Sequence, residues 1–240
     1  MSPRGLIVLA AAIAAAALTF RLGLWQLDRA AQKTALQTAI ETRRTLPPID
    51  AAGLATRAEA ADEQHHRPVR LQGRWVAQHT VFLDNRQMEG RPGFFVVTPL
   101  ALDAAGDAVL VQRGWVPRDA SDRTRLPPVE TPEGAVEIVG RIAPPPARLF
   151  ELAAESGGPI RQNLELESFA RETGLRLRPL SVLQLDGGDG EGSLLRRWSA
   201  PATDVHKHHV YAFQWFALSA LIVVLYVWFQ LVRPRLARRA

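Results

Sequence analysis

Residues 212–232 read AFQWFALSALIVVLYVWFQLV and carry no charged side chain. At ~1.5 Å per residue, a helix of this length crosses a hydrocarbon core of ~30 Å. No water inside a bilayer can satisfy backbone N–H and C=O groups, so a helix is the form such a stretch must take. We therefore place a transmembrane helix over residues 210–232.

The other end of the chain carries a counterpart. GLIVLAAAIAAAALTF at 5–20 is interrupted by Arg21 and resumes as LGLWQL at 22–27. Arg4 before an alanine-rich core also fits a cleavable signal peptide. The pattern continues past Arg21, however, with Leu22, Trp25 and Arg29 in helical register and Trp25 placed as an interfacial anchor. That favours an uncleaved span over 5–27. Arg4 precedes the first span, and Arg233, Arg235, Arg238 and Arg239 follow the second, so the positive-inside rule puts both termini in the cytoplasm. Residues 30–205 then form an extracytoplasmic domain, and 233–240 a basic cytoplasmic tail. The formal charge of +5 over 240 residues owes much to that tail, which suits anionic lipid rather than nucleic acid.

Between the spans, RAAQKTALQTAIETRR at 29–44 extends the first helix until Pro47 and Pro48 stop it, and residues 50–64 read as a loop or a short surface helix. Strand signals follow. PVRLQGRW at 68–75 alternates, TVFLD at 80–84 is closed by Asn85, and GFFVVTPL at 93–100 pairs with AVLVQRGWVP at 108–117 as a hairpin. AVEIVGRI at 135–142 and LSVLQL at 180–185 are further strands, and LELESFARETG at 164–174 is a helix with a glycine stop. Gly114 inside a strand marks a bulge or a close backbone approach. The fold class is α+β: two transmembrane helices flanking a β-rich extracytoplasmic domain.

The chain has no cysteine, which removes disulfides, thiolate metal sites and covalent C-x-x-C-H haem attachment. Asp119, Ser121 and Asp122 have no base beside them in a recognisable pattern, so we expect no enzyme. The chemistry-bearing residues are His206, His208 and His209 at the outer end of the second span. Tyr211 and Trp215 follow His208 at three- and four-residue steps. The antiparallel first span brings Arg21 and Trp25 to a similar depth, and Gly23 permits close approach of the helices. An axial imidazole, a guanidinium for propionates and aromatic rings suit a haem. Interfacial anchoring is the plain alternative, and a copper or zinc site built on the three histidines is another.

Four segments, RLGLWQLDRAAQK at 21–33, GFFVVTPL at 93–100, VLVQRGWVP at 109–117 and HKHHVYAFQWFALS at 206–219, resemble the surfeit locus protein one family of cytochrome c oxidase assembly factors. They occur in the family's order and span nearly the whole chain. The resemblance implies a chaperone-like protein of the inner membrane with a periplasmic central domain. It would bind haem a transiently and help deliver it to the oxidase catalytic subunit. Oxidase subunits, membrane lipid and the haem a synthesis machinery are the implied partners. His208 takes the position of the family's invariant histidine and is the implied iron ligand. His206 stands where the family often has asparagine, and His209 where it has a non-histidine. Arg21, Trp25, Tyr211 and Trp215 complete the expected cofactor-binding set. The alternative is a scaffold that stabilises oxidase subunits without touching haem.

Overall fold

The computed structural model describes residues 3–103, 106–119, 121–122, 124–150, 158–186, 194–198 and 205–237. The chain divides into two units, residues 1–39 with 201–240, and residues 40–200.

The first unit is a pair of helices. α1 (Pro3–Arg44) runs unbroken through Arg21, and all but its last five residues belong here. The C-terminal stretch is α4 (Val205–Val227), a π-helical turn at Trp228–Val232, and α5 (Arg233–Ala237). Both stretches are long and apolar enough to cross a membrane. They are antiparallel, since Gln26 meets His208, Phe20 meets Phe216, and Ala16 meets Ser219. Small residues let the backbones approach: Gly23, Ala212 and Ser219 are all buried. The π turn is absent from the sequence reading. It leaves the helix continuous into Arg233, so the start of the basic tail is helical.

In the second unit the alternation of apolar residues builds a closed sheet. Its strands are β1 (Pro68–Trp75), β2 (Val81–Met88), β3 (Arg91–Ala101), β4 (Asp107–Pro117), β5 (Ala135–Ala143), β6 (Ile160–Arg161) and β7 (Arg176–Gln184). The order is β1-β5-β7-β4-β3-β2-β6, and β1 also pairs with β3 through Arg74↔Ala101 and Trp75↔Leu100. β1, β5, β7, β4 and β3 therefore close into a barrel, which removes their free edges. The period of two is visible in β4. Val109 and Val111 face a core with Val69, Leu71, Ile138, Ile142 and Val182, while Leu110 faces the other way toward Leu83, Val97 and Phe169. With both faces covered, β4 is buried from Ala108 to Val116.

α2 (Ala58–Gln64) sets Ala61 into the first core. α3 (Leu166–Thr173) covers the second with Phe169. It starts where the Glu165 carboxylate accepts from the N–H groups of Glu167 and Ser168, and stops at Gly174, which has φ 70°.

Two strand boundaries differ from expectation. β2 does not close at Asn85. Asn85 adopts φ 58° and the ladder shifts register between Leu83 and Arg86, so the strand bends there and continues to Met88. β7 begins at Arg176, ahead of the expected Leu180; Pro179, which has no N–H to give, is accommodated because it falls in the irregular stretch of the β4–β7 ladder. The two-residue β6 is too short to leave a periodic signal.

His65 and His66 stand beside a cluster of cations. Burial holds both imidazoles below their usual pKa. Arg43 adds to this for His65 against the pull of Asp62, and Arg141, Arg43 and Arg44 add to it for His66. A base whose folded pKa is depressed binds fewer protons folded than unfolded. Its penalty is thus absent above the unfolded value of about 6.5 and grows as pH falls below it. Thermal stability should fall on going from pH 7.5 to pH 5.5. A double variant, His65→Gln with His66→Asn (asparagine accepts the φ of 72° at position 66), should flatten that dependence in melts followed by circular dichroism.

Candidate functional site

The helix pair carries the site. A helix advances about 100° per residue, so positions three and four apart share a face. On α1, Ala16, Thr19, Gly23 and Gln26 form the seam toward α4, and on α4 His208, Ala212, Phe216 and Ser219 answer them. Ser219 Oγ donates to the Ala16 carbonyl at 2.9 Å, and Thr19 Oγ1 donates to the Ala15 carbonyl of its own helix at 2.9 Å. Each hydroxyl is thereby satisfied within the apolar pair.

At one end of the seam His208 is half-buried, and its Nδ1 lies 2.7 Å from Gln26 Oε1. With the Gln26 oxygen accepting, the proton resides on Nδ1. Nε2 then carries the lone pair and has no hydrogen-bond partner among the described residues. This is how a metal-ligating histidine is usually held: a second group orients the ring and leaves the other nitrogen to ligate.

The other sequence-named residues are distributed as the helical phase dictates. Trp215 is half-buried beside the seam and Tyr211 is exposed on the same flank of α4. Arg21 and Trp25 are exposed; they are two residues on either side of Gly23 and so project from the face of α1 opposite the seam. Arg21 also stands ~7.5 Å along the axis from Gln26, at ~1.5 Å per residue. The structure thus brings His208 and Gln26 together, keeps Trp215 and Tyr211 alongside, and does not bring Arg21 or Trp25 to the imidazole. Among the described residues no three histidine, aspartate or glutamate side chains converge as a metal site, and His206 and His209 are exposed on other faces of α4.

Two features escaped sequence reasoning. Gln26 matches the first-span motif of the resembled family together with Arg21 and Trp25, but its pairing with His208 was not foreseen, although it falls one turn beyond Gly23, on the face that glycine marks. The second is an apolar groove of about 410 Å³ lower on the pair, lined by Leu9, Ile13, Ala16, Phe20, Val223 and Tyr226.

Gly23 sets the spacing. A Cβ there would lie 2.6 Å from the Phe216 ring. Gly23→Leu should therefore push the helices apart. In this cysteine-free chain, cysteines placed at positions 16 and 219 should be joined efficiently by a short bifunctional reagent in membranes. Adding Gly23→Leu should reduce that yield several-fold; unchanged yield would mean the seam does not depend on this contact.

Comparison with known proteins covers both units. The model of the SURF1 family matches residues 13–220, from the apolar part of α1 through most of α4. The chain belongs to the SURF1 family. The cytochrome oxidase assembly protein SHY1 of Saccharomyces cerevisiae is 32% identical over 145 residues, which is 59% of this chain and 37% of the yeast protein. That match spans little more than a third of the yeast protein's length. A SURF1-like protein of Rickettsia bellii is 26% identical over 211 residues, 85% of this chain and 83% of its own. Surfeit locus protein 1 of Homo sapiens is 26% identical over 237 residues, 88% and 73% respectively. His208, Gln26 and Gly23 all lie inside the family-matched range.

Proposed function

We propose that this SURF1-family chain is a non-enzymatic membrane assembly factor for cytochrome c oxidase. It takes haem a as cargo at the His208 end of the helix pair and assists its delivery to the catalytic subunit. The name of the yeast relative supports the assembly role. The observation that carries the cargo reading is the Gln26–His208 hydrogen bond, which leaves Nε2 free to bind iron. One protein ligand at a half-exposed position suits a carrier that must release what it holds.

The residues fit the cargo in part. His208 supplies the axial nitrogen, and Tyr211 and Trp215 supply ring surface on the same flank of α4. The apolar groove between Phe20 and Tyr226 offers hydrocarbon surface for the long apolar substituent of haem a. Arg21 and Trp25 face away from His208, and so serve the site only by meeting propionates around the edge of α1. In this proposal both termini are cytoplasmic, the central domain is periplasmic, and the membrane is the inner one.

The phase of Arg21 and Trp25 favours a second reading, in which the aromatic and cationic residues are interfacial anchors and the chain is a scaffold for oxidase subunits. Absorbance spectra separate the two. Protein purified from cells that make haem a should show a Soret band and a red-shifted α band, both missing without haem a synthesis. A colourless protein that still retains oxidase subunits would establish the scaffold instead.

A further inference from the structure

A second site lies in the barrel unit. Across the β3–β4 ladder Val96 pairs with Gly114 and Val97 with Gln112, so Arg113 is the extra residue of a β-bulge. A bulge bends its strand and re-aims a side chain. Gly114 follows with φ 153°, and a Cβ there would lie 2.6 Å from Leu194 Cβ and 2.9 Å from the Leu195 carbonyl. The bulge therefore admits the 194–196 segment at close range. Trp115 and Leu195 exchange backbone hydrogen bonds of 2.8 and 2.9 Å, and Arg196 Nε donates to the Arg113 carbonyl at 2.8 Å.

This construction buries an arginine without a counter-ion among the described residues. Arg113 is 5% exposed, with its guanidinium 4.6 Å from the centroid of the Trp75 ring. Its Nη1 donates to Thr131 Oγ1 and its Nη2 to the Glu130 carbonyl, both neutral acceptors. Nε has no partner, and neither does the nearby Gln184 Oε1. Burial, reinforced by the positive charge of Arg196, pushes the Arg113 pKa down to about 10, and no carboxylate offsets it. Arg113, Trp75, Gln184, Leu194 and Arg196 line a cavity of about 290 Å³. Two acids also border it. Glu137 is engaged by Arg70 at 2.9 Å and Gln72 at 3.2 Å, while Glu130 offers Arg113 its backbone oxygen.

A buried guanidinium with one unused N–H is costly unless something negative completes the site. Guanidinium groups match planar oxyanions through paired N–H donors. Most of the remaining wall is apolar, made by Trp75, Val129, Pro132, Val136, Ile138 and Leu194, and it favours an anion with an apolar body over a fully hydrated one. We propose that this cavity binds a small organic carboxylate. The charged end lies at the Arg113 guanidinium on its Arg196 side, the Gln184 side chain adds a contact by donating from Nε2, and the hydrocarbon part rests against Trp75 and Leu194.

The test is calorimetric titration of the full-length protein in detergent with benzoate, then with phosphate and with chloride at matched ionic strength. Benzoate should bind saturably at one site per chain, and more tightly than phosphate. Losing a charge-assisted pair should weaken benzoate binding by about tenfold or more in Arg113→Met. Should that variant fail to fold, Arg196→Gln and Gln184→Leu, checked by circular dichroism, carry the test with losses of several-fold. Absence of saturable benzoate binding overturns the proposal, as does wild-type affinity in the folded variants. Phosphate binding more tightly than benzoate overturns the carboxylate assignment. Haem plays no part in any of these readings.

Discussion

Under the proposed ligation, His208→Ala should abolish co-purification of haem a, while the variant protein should still insert into the membrane and accumulate at a normal level. That is the expected result of removing an axial ligand at the end of a helix pair held elsewhere by other contacts. Phe20 against Phe216, with ring centroids 5.2 Å apart, and Ser219 against Ala16 lie well below the imidazole and are untouched by the change. Gln26→Leu is the informative companion. It retains Nε2 but removes the acceptor that fixes the tautomer and the ring. Loss of such a supporting group typically costs ~10–100-fold in affinity. The Soret band should then diminish under dilution without vanishing at high protein concentration. Stoichiometric haem a in His208→Ala would sink the ligand assignment. Identical losses in both variants together with reduced membrane accumulation would point to helix packing instead.

Trp115→Ala should be the most destabilising single change in the barrel unit. The indole is fully buried, its Nε1 donates to the Arg86 carbonyl at 3.0 Å, and the Arg91 guanidinium lies 5.3 Å from its ring centroid. Gly93 is shaped around it: a Cβ there would lie 2.5 Å from the Trp115 ring and 2.1 Å from the Val116 carbonyl. Truncating a buried tryptophan costs ~3–5 kcal/mol. A buried acceptor left without its donor adds ~1–3 kcal/mol. A loss of that size is comparable to the whole stability of many domains, about 5–15 kcal/mol. Urea unfolding followed by circular dichroism should show a large drop in midpoint, with Trp115→Phe between the variant and wild type. A shift below about 1 kcal/mol would contradict a packed, hydrogen-bonded indole.

The outcome for Trp115 bears on Arg113 as well, because Trp115 and Leu195 hold the 194–196 segment against the bulge. A collapsed indole would release that segment and open the cavity. Benzoate binding should weaken in Trp115→Ala even though no residue contacting the proposed ligand has changed.

Much of this architecture was legible from residue types alone. Two apolar runs, the first interrupted only at Arg21, must become helices in a bilayer, because every backbone polar group there needs an internal partner. β1 announced itself by alternation, since a shift by one residue would turn its buried face outward, and β2 and β3 by apolar runs beside turn residues; β4, covered on both faces, alternates little. The stop of α1 at Arg44 and the αL glycine ending α3 followed from Pro47 and Gly174 by local sterics. These are local consequences, decided within a few residues.

Barrel closure through β1 and β3, the side of α1 that meets α4, and the company each charged group keeps are not local. His208 was conspicuous in the sequence, but its partner Gln26 lies 182 residues away, and only the register of two antiparallel helices selects it. The same register turned Arg21 and Trp25 to the opposite face, although their spacing along the chain looked right. Gly114 signalled a bulge, yet the buried, unpaired Arg113 beside it emerged only when β3, β4 and the 194–196 segment met. Side-chain period is a property of one element, whereas a site requires the phases of several elements to coincide, and packing alone sets those phases.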